Sequence, residues 1–109
     1  MRSAAMTVML CVGFAAAAAA QDARVAKGQQ LFTDQKCTLC HSIGDKGNKK
    51  GPLDNVAGRL SADDIRAWIT DAKGMIAKTK PTRKPEMKAF TLPKEDVDAL
   101  VAYLSTLKQ

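Results

Sequence analysis

Cys37-Thr38-Leu39-Cys40-His41 gathers the reactive side chains of this sequence into five positions. Two thiols at i and i+3 project from one side of a helical turn, and an imidazole follows directly. C-x-x-C-H is the spacing of c-type haem attachment. Cys37 and Cys40 can reach the two vinyl groups of one haem as thioethers, and His41 then comes under the iron as proximal ligand. Other uses of the same residues fit less well. Zinc needs four ligands, usually from a second Cys or His pair, and beyond this motif the chain has only Cys11. A thioredoxin-like dithiol needs a strand leading into it, and no strand pattern precedes Cys37. A disulfide closed across two residues would be strained.

A sixth iron ligand has few sources. His41 is the single histidine, so two-histidine ligation within the chain is excluded. Met1, Met6 and Met9 lie at the amino terminus, which leaves Met75 and Met87. Met87 sits in an irregular stretch, Lys84-Pro85-Glu86-Met87-Lys88-Ala89-Phe90, where a loop can swing a thioether toward iron. Met75 follows a helix, and its ordinary role there is to fill a gap in the core. The pattern favours Met87, with Met75 as the alternative. A thioether is a soft donor that favours Fe(II) and raises the potential.

The elements around these residues read as all-α. A first helix is expected over residues 23–36 with Asp22 as N-cap. Residues 43–58 are rich in Gly, Asn, Asp and Pro, which is loop composition. Ser61 reads as the N-cap of a second helix, with Asp63 and Asp64 in its first turn. Ile65, Trp68, Ile69 and Ala72 recur at helical spacing, and Gly74 is expected to end it. Residues 78–85 hold four basic side chains and two prolines, and read as extended and exposed. A third helix is expected from near Pro93, with Val97, Leu100, Val101, Leu104 and Leu107 on one stripe. No period-two run is long enough to argue a sheet.

The chain has 109 residues and a net charge of +6. Arg2 followed by an uncharged, alanine-rich stretch to Ala20 reads as an export signal, cleaved after Ala18-Ala19-Ala20. Cys11 falls within it and would be discarded. Residues 21–109 then form one domain in the periplasm, with no stable membrane insertion once the signal is cleaved. Export makes a nucleic-acid partner a poor explanation of the positive charge. A domain this small barely buries enough surface to fold alone, so a cofactor is expected to complete its core.

Taken together, these segments resemble the class I cytochromes c. Gly28-Gln29-Gln30-Leu31-Phe32 followed by the attachment motif is similar to the amino-terminal signature of that family. Gly51-Pro52-Leu53 resembles its G-P-x-L loop, Trp68-Ile69-Thr70-Asp71-Ala72-Lys73 its W-I-x-x-P-K stretch, and Met87-Lys88-Ala89-Phe90 with the last helix its axial-ligand region. Where many relatives place Met just after G-T-K, here Lys78-Thr79-Lys80 runs on to Glu86 before Met87. The resemblance implies three main helices and loops wrapped around one covalent haem c. It implies that the Pro52 carbonyl accepts the His41 Nδ1–H, and that the first and last helices cross closely at Gly28, with Phe32 and Tyr103 at the contact. The function implied is one-electron transfer by a monomeric carrier, not an enzyme, with His41 and Met87 as axial ligands. Lys36, Lys46, Lys49 and Lys50, with Lys78, Lys80, Arg83, Lys84 and Lys88, would steer it onto acidic oxidase, reductase or dehydrogenase partners. Two other readings are the haem subunit of a periplasmic dehydrogenase and a five-coordinate catalytic or sensing protein.

Overall fold

A computed structural model describes residues 11–109. The amino-terminal part of the expected export signal, Arg2 included, lies outside the described residues. The first helix, α1, runs over Cys11–Asp34. It starts earlier than residue 23 because the alanine run has the highest helix propensity of any residue type and nothing in it breaks the helix. Asp22 is therefore an exposed mid-helix residue and not an N-cap. No helix among the described residues is long and apolar enough to cross a membrane.

Helix α1 ends where Lys36 turns left-handed (φ 58°). A single 3-10 turn, Cys37–Leu39, follows. The glycine-rich stretch is mostly loop, but it holds a short antiparallel pair, β1 (Ser42–Ile43) and β2 (Lys46–Gly47). Two-residue strands have no period to read, so hydrophobic alternation could not reveal them. Helix α2 is one turn, Val56–Arg59.

Helix α3 spans Ala62–Thr70, and Ser61 caps it by accepting from the Asp64 N–H at 3.1 Å. It stops at Asp71, earlier than Gly74. Asp71 leaves helical geometry (φ −144°, ψ 55°), and its carboxylate accepts from the Gly74 N–H at 3.2 Å. That cap starts a separate helix, α4, over Ala72–Thr79. Gly74 belongs to the first turn of α4, and Lys78 and Thr79 are helical, so the extended segment begins only after Lys80. Helix α5 spans Lys94–Leu104, with Pro93 at its N-cap and Glu95 and Asp96 in its first turn. The all-α expectation holds apart from the small β pair.

The core is Phe32, Val56, Ile65, Ile69, Val97, Leu100, Val101 and Leu104, drawn from α1, α2, α3 and α5. Helices α1 and α5 cross as expected at Gly28. A Cβ there would fall on the Ala99 carbonyl oxygen and 2.6 Å from Tyr103 Cβ. Phe32 and Tyr103 meet edge to face, with ring centroids 6.1 Å apart. Lys27 pairs with Asp96 at 3.0 Å across the same contact, and Arg66 of α3 pairs with Asp98 of α5 at 2.7 Å. Gly28→Ala should therefore destabilise the protein. The helix gains about 1 kcal/mol of propensity, but separating two backbones costs more, about 1–3 kcal/mol for overpacking of this kind. A lower midpoint in urea denaturation is the expected reading.

Candidate functional site

The attachment motif is positioned by the end of α1. The left-handed Lys36 turns the chain, and the His41 N–H donates to the Cys37 carbonyl at 2.9 Å, closing one tight turn. Cys37 is half-buried and Cys40 exposed, and both thiols are free. Desolvation pushes the Cys37 thiol up to about 11, with its own backbone hydrogen bond working the other way and the Cys40 charge adding to the rise. A redox dithiol works through a lowered thiol pKa, so the environment of Cys37 opposes that use. No group of three or more His, Cys, Asp or Glu gathers to hold a metal among the described residues.

His41 is half-buried, and its Nδ1 lies 3.0 Å from the Gly51 carbonyl oxygen. With Nδ1–H donating to that oxygen, the Nε2 lone pair is left free to bind a metal. Burial lowers the pKa of the ring, partly offset by the Gly51 bond, and the positive charge of Arg83 adds to the lowering. The ring is therefore neutral at pH 7, the form that coordinates a metal.

The acceptor is Gly51 and not Pro52, which corrects the expectation. Ser42 and Pro52 form a parallel bridge in which the Ser42 N–H donates to Gly51 O (3.1 Å) and the Leu53 N–H donates to Ser42 O (2.8 Å). Successive carbonyls of an extended segment point to opposite sides. The register that turns the Gly51 carbonyl toward Ser42 and His41 turns that of Pro52 away. Ser42, 1% exposed, is the buried pin of this arrangement.

A cavity of about 680 Å³ opens beside the motif. Cys37, Cys40 and His41 line it on one side, and Met87 lines it from the irregular segment after α4. Phe32, Ile69 and Leu100 are among its apolar walls. Met87 is half-buried, and its segment is anchored to α3 by the Phe90 N–H, which donates to the Ile69 carbonyl at 2.8 Å. Met75 is 7% exposed, packed on α4, and is not part of the cavity wall. Pro81, Arg83 and Pro85 do line it, so the basic segment is not wholly a solvent face. Gly51 and Arg83 are the site residues that sequence reasoning missed. Gly51 was visible only as a neighbour of Pro52, and Arg83 only as one more surface base.

Size, lining and donors agree. The cavity falls in the range of about 300–1,000 Å³ usual for cofactor pockets. Its walls are mainly apolar, and paired thiols and a neutral imidazole face it. These residues fit a covalently attached haem.

Comparison with known proteins points the same way. Cytochrome c oxidase subunit 2 of Alkalihalophilus pseudofirmus is 32% identical over 91 residues, which take in 75% of this chain and 25% of that protein. The chain thus spans about a quarter of the relative's length. No solved structure matches. The sequence profile described as cytochrome c matches residues 25–108, nearly all of the chain beyond its alanine-rich start. The chain belongs to the cytochrome c family, whose domains carry covalent haem and transfer electrons.

Proposed function

We propose that this protein is a class I, monohaem electron carrier that works in the periplasm, with His41 and Met87 as the axial pair. One observation carries the reading: the two residues line the same cavity, whereas Met75 is packed away from it. When bound, the haem supplies a one-electron Fe(III)/Fe(II) couple. Cys37 and Cys40 would hold it through two thioethers, which would stop loss of the cofactor by diffusion. His41 offers Nε2 while Gly51 fixes the plane of its ring. Met87 would offer the iron a soft thioether donor and so leave no open position for small ligands. Phe32, Ile69 and Leu100 exclude water, which limits solvent rearrangement as charge changes.

Partners are recognised by charge in this reading. Lys36, Lys49 and Lys50 are exposed beside the attachment turn, and Lys80, Lys84 and Lys88 are exposed on the Met87 segment. Leu39, 69% exposed between the two cysteines, gives the same region an apolar point. An acidic redox protein fits such a surface, and residues 21–109 acting as a monomer after export suit a diffusing carrier. The relative named as an oxidase subunit favours a second reading, in which the chain is the haem-bearing part of an oxidase assembly. Co-purification with a terminal oxidase under mild detergent would select that reading.

Electron transfer from the reduced protein to its physiological acceptor should slow as salt rises. The Debye length falls from about 10 Å at 0.1 M to about 3 Å at 1 M, which screens steering. Charge reversal at Lys80 and Lys84 should flatten the dependence in stopped-flow kinetics. A second-order rate that ignores both salt and these substitutions would remove charge steering from the proposal.

A further inference from the structure

Arg83 belongs to the segment that carries Met87, and its guanidinium reaches Gly51, the residue whose carbonyl meets His41. A Cβ on Gly51 would collide with its Nη1 and with the Cys40 carbonyl oxygen. The guanidinium thus rests on the bare backbone of the residue whose carbonyl holds His41 Nδ1. Arg83 is half-buried and lines the cavity. Glu86, the carboxylate of the cavity wall, pairs with Lys84 at 2.8 Å, and Arg59, the other cavity arginine, donates to the Asp54 carbonyl at 3.4 Å. Among the described residues no carboxylate pairs with Arg83.

The result is a permanent positive charge, partly withdrawn from water and with no carboxylate partner among the described residues, beside the proximal histidine. Guanidinium does not lose its proton in proteins, so the charge is constant across the working pH range. A fixed cation opposes the additional positive charge of an oxidised metal held by His41. It therefore favours the reduced state.

We infer that Arg83 is a potential-setting residue: its guanidinium, seated on Gly51 beside His41, holds the redox equilibrium toward Fe(II). The inference rests on the haem reading above and on His41 ligation, but not on Met87. Arg83 touches no reacting atom. It acts through the field at His41, which makes it a positioning residue for charge.

The test is an equilibrium redox titration of the haem-loaded protein with mediators, on Arg83→Gln, Arg83→Lys and, as a surface control, Lys46→Gln. At a fixed ambient potential the reduced-to-oxidised ratio of Arg83→Gln should fall on the order of 10-fold, the scale of one unit charge acting through a small protein interior. Arg83→Lys should stay within about threefold of the unmodified protein because the charge is kept. The Arg83→Gln shift should survive in about 0.5 M salt, since a half-buried charge is poorly screened, while Lys46→Gln should show none. If Arg83→Gln disturbs haem attachment, Arg83→Met keeps the packing without the charge and takes its place. An unchanged midpoint in the neutral variants overturns the inference. So does an equal shift in the Lys variant, which would mean that Arg83 only packs against Gly51. A shift erased by salt overturns it too. Loss of the Fe–S absorption in the unmodified protein would instead count against Met87 and leave the Arg83 comparison readable.

Discussion

Met87→Ala abolishes the weak red absorption of an Fe–S bond, lowers the reduction potential and opens the iron to carbon monoxide or cyanide. That result is expected because Met87 lines the same cavity as the attachment motif, from a segment with no regular secondary structure. Its thioether favours Fe(II), so removing it moves the equilibrium toward Fe(III). Met75→Ala separates ligand from packing. Met75 is 7% exposed on α4, so its truncation should cost about 2–5 kcal/mol of stability while the Fe–S absorption stays. A visible spectrum and a melting curve on each variant decide the matter. Loss of the absorption in Met75→Ala and its retention in Met87→Ala would reverse the assignment. An unmodified protein that lacks the absorption and binds carbon monoxide freely would support the five-coordinate reading.

The haem-free Cys37→Ala, Cys40→Ala double variant should be largely unfolded. Core residues Phe32, Ile65, Ile69, Leu100 and Leu104 all border the cavity of about 680 Å³. Without a cofactor they line empty or hydrated space instead of close-packed partners, and each loses contacts that a small domain cannot spare. Covalent cofactor binding and folding are then coupled, as they are in small metal-dependent domains. Circular dichroism should show much less helix than in the loaded protein, with no cooperative melt. Native-like helix content and a sharp transition in the double variant would show that the helices pack without the haem.

Charge pairs at the helix contacts add a pH dependence of known sign. Asp98 is held below the usual carboxylate range by its hydrogen bonds to Lys94 and Arg66. A depressed carboxylate contributes stability above its unfolded pKa and loses it as pH falls through the folded value. The tie between α3 and α5 therefore weakens only in acid.

The attachment chemistry was legible in the sequence because it is local. Cys37, Cys40 and His41 stand within one turn, so their identity and spacing suffice to bring them to one place. The Ser61 cap, the α5 stripe and the fit of Gly28 between α1 and α5 could likewise be anticipated, the first from capping chemistry, the second from helical period, the last from family resemblance. Local rules failed where a competing local signal was stronger. Asp71, with Gly74 three residues on, caps a new helix, which a reading of Gly74 as a terminator overlooks. An uninterrupted alanine run carried α1 back beyond Asp22.

Other features depended on parts of the chain far apart in sequence. Pro52 and Gly51 are adjacent, and the bridge to Ser42 alone decides which carbonyl faces His41. Met75 and Met87 are both uncharged, flexible thioethers, and residue type alone does not separate them. The anchoring of Phe90 to Ile69 helps place one at the cavity, while burial on α4 keeps the other away. Arg83 reads as one base among many until the missing side chain of Gly51 gives its guanidinium a seat. Helix period and capping act over a few residues. Backbone register, cavity walls and desolvation arise only when distant segments pack, and packing is what turned an attachment motif into a shaped and charged site.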